Sequence, residues 1–361
     1  MQIGIVGLPF SGKTTLFRTL ANIHLETSAL HKKDANIATV KVPDARLDKL
    51  TEMFNPKKKV NATIEIVDVI GIQKGSSAST AFSSHFLTKV RTNDAIIHIV
   101  RGFDNEETPH PEGSNDLLRD IRTLEEEFIL ADLAFLEGRF DKLESDMKKP
   151  KSREEAEAEI EVMKRWNEIL QSETPLRELE FHNDEQKFLK NYQPLTAKPL
   201  LIALNLNESD VSASKEICAK ISQSIKGTKV RIEPLFAKIE MELSGLPDED
   251  KEMFMSEYGL TESPLNRLLR HAYDLLGLQS FFTVGEDECR AWTVKKGMNA
   301  QQAAGTIHTD FFNKFIRAEV VGYKEFLAAG TLVKCKEKGF LKLEGKEYIV
   351  KDGDILNIRH G

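Results

Sequence analysis

A loop near the N-terminus combines glycine, lysine and threonine at a spacing that binds phosphate. The sequence from Gly7 to Thr14 reads GLPFSGKT and fits the pattern G-x-x-x-x-G-K-[ST], the phosphate-binding loop or P-loop. Glycines let the backbone curl so that successive N–H groups face the phosphates, and the N-terminus of the following helix attracts negative charge. We expect Lys13 to reach the β- and γ-phosphates of a nucleotide and the Thr14 hydroxyl to ligate Mg²⁺. The expected nucleotide-binding residues of this loop are Pro9, Phe10, Ser11, Gly12, Lys13, Thr14 and Thr15.

A carboxylate that could complete the magnesium site follows the apolar run Ile64–Val67. Residues Asp68 to Gly71 fit D-x-x-G, in which the carboxylate holds Mg²⁺ and the glycine N–H contacts the γ-phosphate. We expect Asp68 to hold Mg²⁺ through a water molecule. The next residue is Ile72, whereas Ras-type GTPases place a water-orienting glutamine there. We therefore expect unaided hydrolysis to be slow, or to draw on a group from another segment.

A third motif has the position of a base-recognition site. GTPases bind guanine with N-K-x-D, whose aspartate accepts hydrogen bonds from the base. After the apolar run at 199–204, this chain has Asn205, Leu206, Asn207 and Glu208. Because leucine replaces the lysine and glutamate replaces the aspartate, we do not expect selectivity for guanine.

Continuous apolar runs of strand length precede these motifs and alternate with helical stretches. Such runs are typical of strands buried on both faces of a mostly parallel sheet, with helices covering the faces. We predict an α/β, doubly wound P-loop domain with strands at Ile3–Val6, Thr63–Val67, Ala95–Val100 and Pro199–Leu204.

Two further segments have a different character. From about Leu124 to Tyr192 the chain is charged, with apolar residues at helical spacing, and a second helix is predicted at roughly Arg153 to Gln171. This pattern predicts an inserted antiparallel helical hairpin. After Gly277 the chain predicts a small α+β module with one helix near Ala300–Ile307. Its predicted strands are Phe281–Val284, Cys289–Val294, Ile316–Val321 and Tyr348–Val350.

The predicted domain organisation follows from these changes of pattern. The nucleotide-binding domain takes residues 1–124 and 196–277, the hairpin insert takes 125–195, and the C-terminal module takes 278–361.

Composition restricts the partners and the compartment. The net charge of −7 argues against general nucleic-acid affinity and against sequence-specific DNA binding. No apolar run is long enough to span a bilayer, and the N-terminus has no signal-peptide pattern. The cysteines Cys218, Cys289 and Cys335 are isolated, which suits a reducing compartment. We expect a cytoplasmic protein that does not bind membranes.

Several longer segments carry a family resemblance. They are Val42–Leu50 (VPDARLDKL), Arg91–Phe103, Ile129–Asp132 (ILAD), Arg290–Thr293 (RAWT) and Ala303–Phe311. With the three motifs above, they make nearly the whole chain resemble the Obg-like ATPase (YchF) family of translation-factor-class P-loop proteins. The resemblance implies ATP or ADP with Mg²⁺ as ligands, a coiled-coil insert, a C-terminal TGS (β-grasp) domain and association with ribosomes or ribosomal RNA.

The resemblance also assigns residues to the base and to catalysis. It implies that Asn205, Leu206 and Glu208 form the motif NxxE that is tied to ATP preference. It implies that Ala237 lies on the base side, in the stretch that matches the family's SAxxE. His110 falls where the family carries a histidine in a loop. Since Ile72 cannot orient water, we consider His110 a catalytic candidate.

The chain departs from the family pattern at three places that bear on switching. Phe10 replaces an asparagine that can help to hold a monovalent cation in related sites. Lys32 stands near the place of a magnesium-sensing threonine, and an ammonium group cannot ligate Mg²⁺ although it can contact a phosphate. The glycine-rich loop after the second switch is shortened to Ser76–Thr80.

Two hypotheses from different classes therefore remain. In the first, the chain is a slow ATPase switch that presents its hairpin and C-terminal module to a ribosome or RNA. We expect it to be a monomer. In the second, it is a non-hydrolysing nucleotide-binding module; Lys32, Phe10 and the shortened loop favour this alternative. A conventional GTPase is disfavoured by Leu206 and Glu208.

Overall fold

The computed structural model describes residues 1–24, 37–69, 82–147, 153–225, 227 and 229–361. The chain forms two compact units: the first contains Met1–Thr39 and Glu65–Leu268, and the second contains Val40–Ile64 and Leu269–Gly361. The predicted residues Lys32, Gly71, Ile72 and Ser76–Thr80 lie outside the described residues.

The described residues form the following strands and helices. The strands are β1 (Gln2–Val6), β2 (Ile37–Lys41), β3 (Lys58–Val60), β4 (Thr63–Asp68), β5 (Ala95–Gly102), β6 (Leu200–Leu206), β7 (Val230–Leu235), β8 (Leu278–Thr283), β9 (Glu288–Lys295), β10 (Phe315–Gly322), β11 (Lys342–Glu344) and β12 (Asp354–His360). The helices are α1 (Lys13–His24), α2 (Ala45–Phe54), α3 (Ser84–Arg91), α4 (Leu117–Met147), α5 (Arg153–Gln171), α6 (Gln186–Tyr192), α7 (Ser214–Ser224), α8 (Ala237–Ser244), α9 (Asp248–Glu257), α10 (Pro264–Leu275), α11 (Ala300–Ile307), α12 (Thr309–Asn313), α13 (Tyr323–Ala329) and α14 (Leu332–Glu337).

The first unit contains the predicted α/β sheet. Its strand order is β2-β4-β1-β5-β6-β7, and β1 pairs in parallel with both β4 and β5. The pairs β5–β6 and β6–β7 are parallel as well. Every residue of β6 is buried, and so are the first seven residues of β5, as expected for central strands covered on both faces. The parallel strands bring the residues that follow β1, β4, β5 and β6 to one edge of the sheet.

The helical insert of the first unit has its own hydrophobic core. Helices α4 and α5 pack against each other around Leu136, Met163 and Trp166. Helix α4 begins at Leu117, seven residues before the predicted position, because the buried Ile121 and Leu124 pack this first part against the sheet domain. The prediction for α5 matches the observed bounds.

The second unit contains a six-stranded sheet in the order β11-β10-β12-β8-β9-β3. The predicted helix α11 is present and begins with a capping box formed by Asn299 and Gln302. The predicted strand at Tyr348–Val350 is wrong, since Ile349 makes only an isolated bridge to Asn299. Strand β12 supplies the missing pairing instead, antiparallel to β10 and parallel to β8.

No helix in the described parts of the chain combines the length and the apolar character that crossing a membrane requires.

Candidate functional site

The phosphate-binding loop connects β1 to α1, as the motif requires. Gly7 must be a glycine because a methyl group at its Cα would lie 2.3 Å from the Ile99 carbonyl oxygen on β5. Gly12 has φ of 97°, and a methyl group there would lie 2.4 Å from Asn205 Nδ2. The two glycines thus permit both the curl of the loop and its close approach to β5 and β6. Within the loop Ser11 is buried, Pro9 is half-buried, and Thr14 and Thr15 are exposed.

Phe10 occupies the tip of this loop in an unusual backbone conformation. Its φ is 60°, in the left-handed region that bulky residues seldom adopt, and its side chain is 52% exposed. Asparagine, which the family resemblance places at this position, tolerates that conformation better. The phenylalanine therefore strains the loop without burying its ring.

Lys13 and Asp68 interact electrostatically at this edge of the sheet. The Lys13 ammonium donates a hydrogen bond of 2.6 Å to the Leu8 carbonyl oxygen. Burial lowers the pKa of Lys13 to about 8, and the charge of Asp68 acts in the opposite direction. Burial likewise raises the pKa of Asp68, and the charge of Lys13 partly offsets that effect. Each group is thus a buried or half-buried charge that a ligand of opposite sign would stabilise.

A magnesium ion fits the chemistry of this edge. Thr14 lies exposed in the first turn of α1, and Asp68 is the last residue of β4. Among the described residues no group of three or more His, Cys, Asp or Glu side chains could hold a metal ion by itself. Magnesium commonly binds through one or two protein oxygens, with phosphate and water oxygens completing its shell, and Thr14 with Asp68 offers that set.

Asn205 connects the phosphate-binding loop to Ala237, the residue that was predicted to lie on the base side. Its Nδ2 donates to the Ser11 carbonyl oxygen (3.1 Å), and its Oδ1 accepts from the Ala237 N–H (3.0 Å) at the start of α8. The side chain is buried, so both bonds are shielded from water. The structure therefore brings the sequence-predicted residues Ser11, Gly12, Asn205 and Ala237 together.

Leu206 and Glu208, from which we predicted no selectivity for guanine, have different environments. Leu206 is buried at the end of β6, and its Cδ2 would lie 2.7 Å from a methyl group added at Gly102. Glu208 is partly exposed and forms an ion pair of 2.8 Å with Lys238 in the first turn of α8. Lys238 belongs to the stretch that was predicted to flank the base, and it is largely exposed, so this ion pair lies near the surface.

His110 is buried, and both of its ring nitrogens have partners. Nε2 lies 2.8 Å from Asp120 Oδ2, and Nδ1 accepts a hydrogen bond of 3.1 Å from the Glu112 N–H. In this arrangement neither nitrogen is free to take a proton from water. The catalytic role of His110 stays a prediction, and it requires one of these bonds to open.

His98 is a residue near the site that sequence reasoning missed. It lies in the middle of β5 opposite Val6, it is 1% exposed, and its Nδ1 has no hydrogen-bond partner among the described residues. Burial, and secondarily the charge of Lys13, lower its pKa to about 3, so the ring is neutral. A histidine inside an otherwise apolar strand is the signal that could have identified it.

Two protein-family models match parts of this chain. A family model described as "50S ribosome-binding GTPase" matches residues 2–132. A second model, for the C-terminal domain of YchF GTPases and described as a protein of unknown function (DUF933), matches residues 278–361.

Full-length relatives extend the match to nearly the whole chain. The Ribosome-binding ATPase YchF of Bacillus subtilis is 42% identical over 99% of both chains, and that of Escherichia coli O157:H7 is 38% identical over 99% of this chain and 98% of the relative. Obg-like ATPase 1 of Caenorhabditis elegans is 34% identical over 99% of this chain and 91% of the relative. The structure of the Schizosaccharomyces pombe YchF GTPase superposes with a TM-score of 0.88 at 30% identity, covering 99% of this chain and 97% of that one. The chain belongs to the YchF/Obg-like ATPase family.

Proposed function

We propose that this protein is an ATP-binding P-loop switch that hydrolyses ATP slowly and acts at the ribosome in the cytoplasm. The observation that carries the proposal is the Asn205 bridge, which holds Ser11 of the phosphate loop and Ala237 of the base side in one buried unit. Phosphate binding and base recognition are thereby linked through one side chain.

Different residues of the site would bind the phosphates and the magnesium ion. Backbone N–H groups of Gly12 and its neighbours would contact the phosphates, and Lys13 would exchange its bond to the Leu8 carbonyl for phosphate oxygens. Thr14 and Asp68 would hold Mg²⁺, which supplies charge neutralisation of the phosphates when bound. These residues orient the nucleotide.

ATP is proposed over GTP because of Leu206 and Glu208. The names of the relatives include both ATPase and GTPase, so the choice between ATP and GTP is argued from the residues of the base site. Guanine sites use a lysine and an aspartate at these two positions, and the aspartate accepts two hydrogen bonds from the base; this chain has Leu206 and the longer Glu208 instead. The double change Leu206→Lys with Glu208→Asp is expected to raise GTP affinity relative to ATP. An unchanged ratio would show that these residues do not select the base.

A ribosomal partner is proposed from the relatives' names. The Bacillus subtilis and Escherichia coli relatives are named ribosome-binding. We expect this chain to co-sediment with ribosomes in a nucleotide-dependent manner. Equal sedimentation without nucleotide, with ADP and with a non-hydrolysable ATP analogue would argue against a switch.

His110 is proposed as the group that compensates for Ile72. The His110→Ala change is expected to lower ATP turnover by roughly 100-fold without changing ATP affinity, since a general base contributes about that much. Turnover equal to that of the unchanged protein would discard His110 as a catalytic residue.

The alternative is a nucleotide-binding module that does not hydrolyse ATP. Phe10 at the strained loop tip favours it, as do Lys32 and the shortened loop at Ser76–Thr80 in the sequence. ATP binding without phosphate release would select this alternative.

The P-loop itself is tested by Lys13→Ala. We expect this change to abolish the rise in melting temperature that ATP and Mg²⁺ give, because stabilisation by a ligand requires binding to the native state. A matched control is Lys89→Ala, a lysine near the end of α3 outside the proposed site. Full ATP stabilisation of the Lys13→Ala protein would remove the P-loop proposal.

A further inference from the structure

His110, in the loop between β5 and α4, is linked to two residues in the first turn of α4, Arg119 and Asp120, to which the proposed function gives no role. His110 Nε2 lies 2.8 Å from Asp120 Oδ2, and both side chains are at most 4% exposed. The other carboxylate oxygen, Asp120 Oδ1, accepts from Arg119 Nε (3.0 Å) and Nη2 (2.8 Å). Arg119 Nη2 also donates to the Ser114 carbonyl oxygen at 2.6 Å. The carboxylate is thus held from both sides.

These contacts select one form of the imidazole ring. Nδ1 accepts from the Glu112 N–H, so it must carry a lone pair and cannot carry a proton. The proton of the neutral ring therefore resides on Nε2, where it is donated to Asp120. The oxygen that receives it is fixed in turn by Arg119.

We propose that Asp120 is a positioning residue for His110, and that it makes Nδ1 the atom that accepts the proton of the attacking water. An aspartate that holds the far nitrogen of a histidine fixes the tautomer and stabilises the imidazolium that forms when the near nitrogen is protonated. Release of the Glu112 N–H frees Nδ1 for that proton. This inference rests on the proposed catalytic role of His110.

The arrangement predicts a specific effect of Asp120→Asn. The side-chain oxygen of the amide would stay with the two Arg119 donors, so the NH₂ group would face His110 Nε2. Nε2 would then become an acceptor and the proton would move to Nδ1, the nitrogen that has to be free. Turnover would fall although the substitution preserves size.

The test combines nitrogen NMR of labelled histidines with steady-state kinetics. The His110 signals are those that disappear in His110→Gln. We expect Asp120→Asn to interchange the Nδ1 and Nε2 signals and to lower kcat about 100-fold with an unchanged KM. Arg119→Gln, at a partly exposed position, is expected to give a smaller change in the same direction. The matched control Asp116→Asn keeps the bond to the Arg119 N–H and is expected to change neither readout.

Two results would overturn the positioning role. One is an unchanged tautomer in Asp120→Asn, and the other is an interchanged tautomer with normal kcat while His110→Ala is slow. If His110→Ala itself turns over normally, this inference falls together with the catalytic role of His110. ATP-induced stabilisation would still stand in that case, so failure here is distinguishable from failure of the P-loop proposal.

Discussion

Phe10 shows how one residue can strain a loop whose neighbours are otherwise well suited to their positions. Its left-handed backbone costs about 1 kcal/mol for a residue with a Cβ, and asparagine reduces that cost. We predict that Phe10→Asn raises the melting temperature of the ligand-free protein by roughly 2 °C. Phe312→Asn is the control, because Phe312 is also exposed but lies within helix α12. A higher melting temperature in the control alone, or no increase for Phe10→Asn, would show that the backbone at Phe10 is not strained.

We expect Lys13 to make nucleotide binding depend on pH. Its pKa of about 8 in the free protein means that it loses its proton as the pH rises above 8, whereas bound phosphates would hold the proton and raise the pKa. We therefore predict a Kd for ATP that is constant below about pH 8 and rises roughly tenfold per pH unit above it. Calorimetric titration from pH 7 to pH 9.5 measures this, with circular dichroism to verify the fold. A constant Kd over the whole range would be the opposite result.

The residues of the candidate site could be predicted from the sequence where a motif specifies them. They could not be predicted where their positions depend on the packing of distant segments. The sequence motif identifies Gly7, Gly12 and Lys13. The double hydrogen bond of Asn205 and the burial of His98 depend on the register of β5 and β6, which no local pattern encodes. The partners of His110 likewise come from the fold of its loop and from α4.

At the scale of elements, Asp132 fastens helix α4 to the sheet domain. Its Oδ1 accepts from Arg91 of α3 and from the Leu195 N–H, and its Oδ2 accepts from the N–H and the hydroxyl of Thr196. Burial raises the pKa of Asp132, and Arg91 with the hydrogen bonds offsets that effect. This one carboxylate thus joins α3, the helical insert and the segment that leads into β6.

We predict that Asp132→Ala destabilises the protein by about 3 kcal/mol, because it leaves buried donors and a partly buried guanidinium without their acceptor. Urea unfolding followed by circular dichroism measures the change. The exposed Asp141 of the same helix provides the control, and Asp141→Ala is expected to change stability by less than about 0.5 kcal/mol. A loss at Asp132 no greater than at Asp141 would contradict the fastening role.

Strands could be predicted from the sequence where apolar residues form a continuous run. The apolar runs that became β1, β4, β5 and β6 could be identified because central parallel strands are buried on both faces. Strand β7 alternates charged with apolar residues at the sheet edge, and β12 ends in polar residues, so neither has a clear pattern. Tertiary pairing rather than local preference places them in sheets.

At the scale of the whole molecule, the second compact unit is built from two separate stretches of the chain. It includes Val40–Ile64, which carries α2 and β3, and β3 pairs in parallel with β9. Phe54 of α2 stacks on Phe326, and Arg46 forms an ion pair with Asp352 at 2.7 Å. Sequence reasoning could not find this, because a segment 200 residues or more distant completes the unit.

The predicted domain 278–361 is therefore expected to fold poorly by itself. It would lack the buried Leu47 and Leu50 of α2 and the pairing of β3. We predict broad, poorly dispersed NMR spectra for the isolated 278–361 fragment, and dispersed spectra when residues 40–64 are joined to 269–361 by a flexible linker. A well-dispersed spectrum of 278–361 alone would show that the N-terminal segment is dispensable.

The most direct test of the central claim is a calorimetric titration of the whole protein with ATP and with GTP in the presence of Mg²⁺, followed by phosphate release in the same samples. We predict binding that is at least tenfold tighter for ATP than for GTP, and slow release of phosphate from ATP. Equal or tighter binding of GTP would contradict the assignment of the site around Asn205, Leu206 and Glu208.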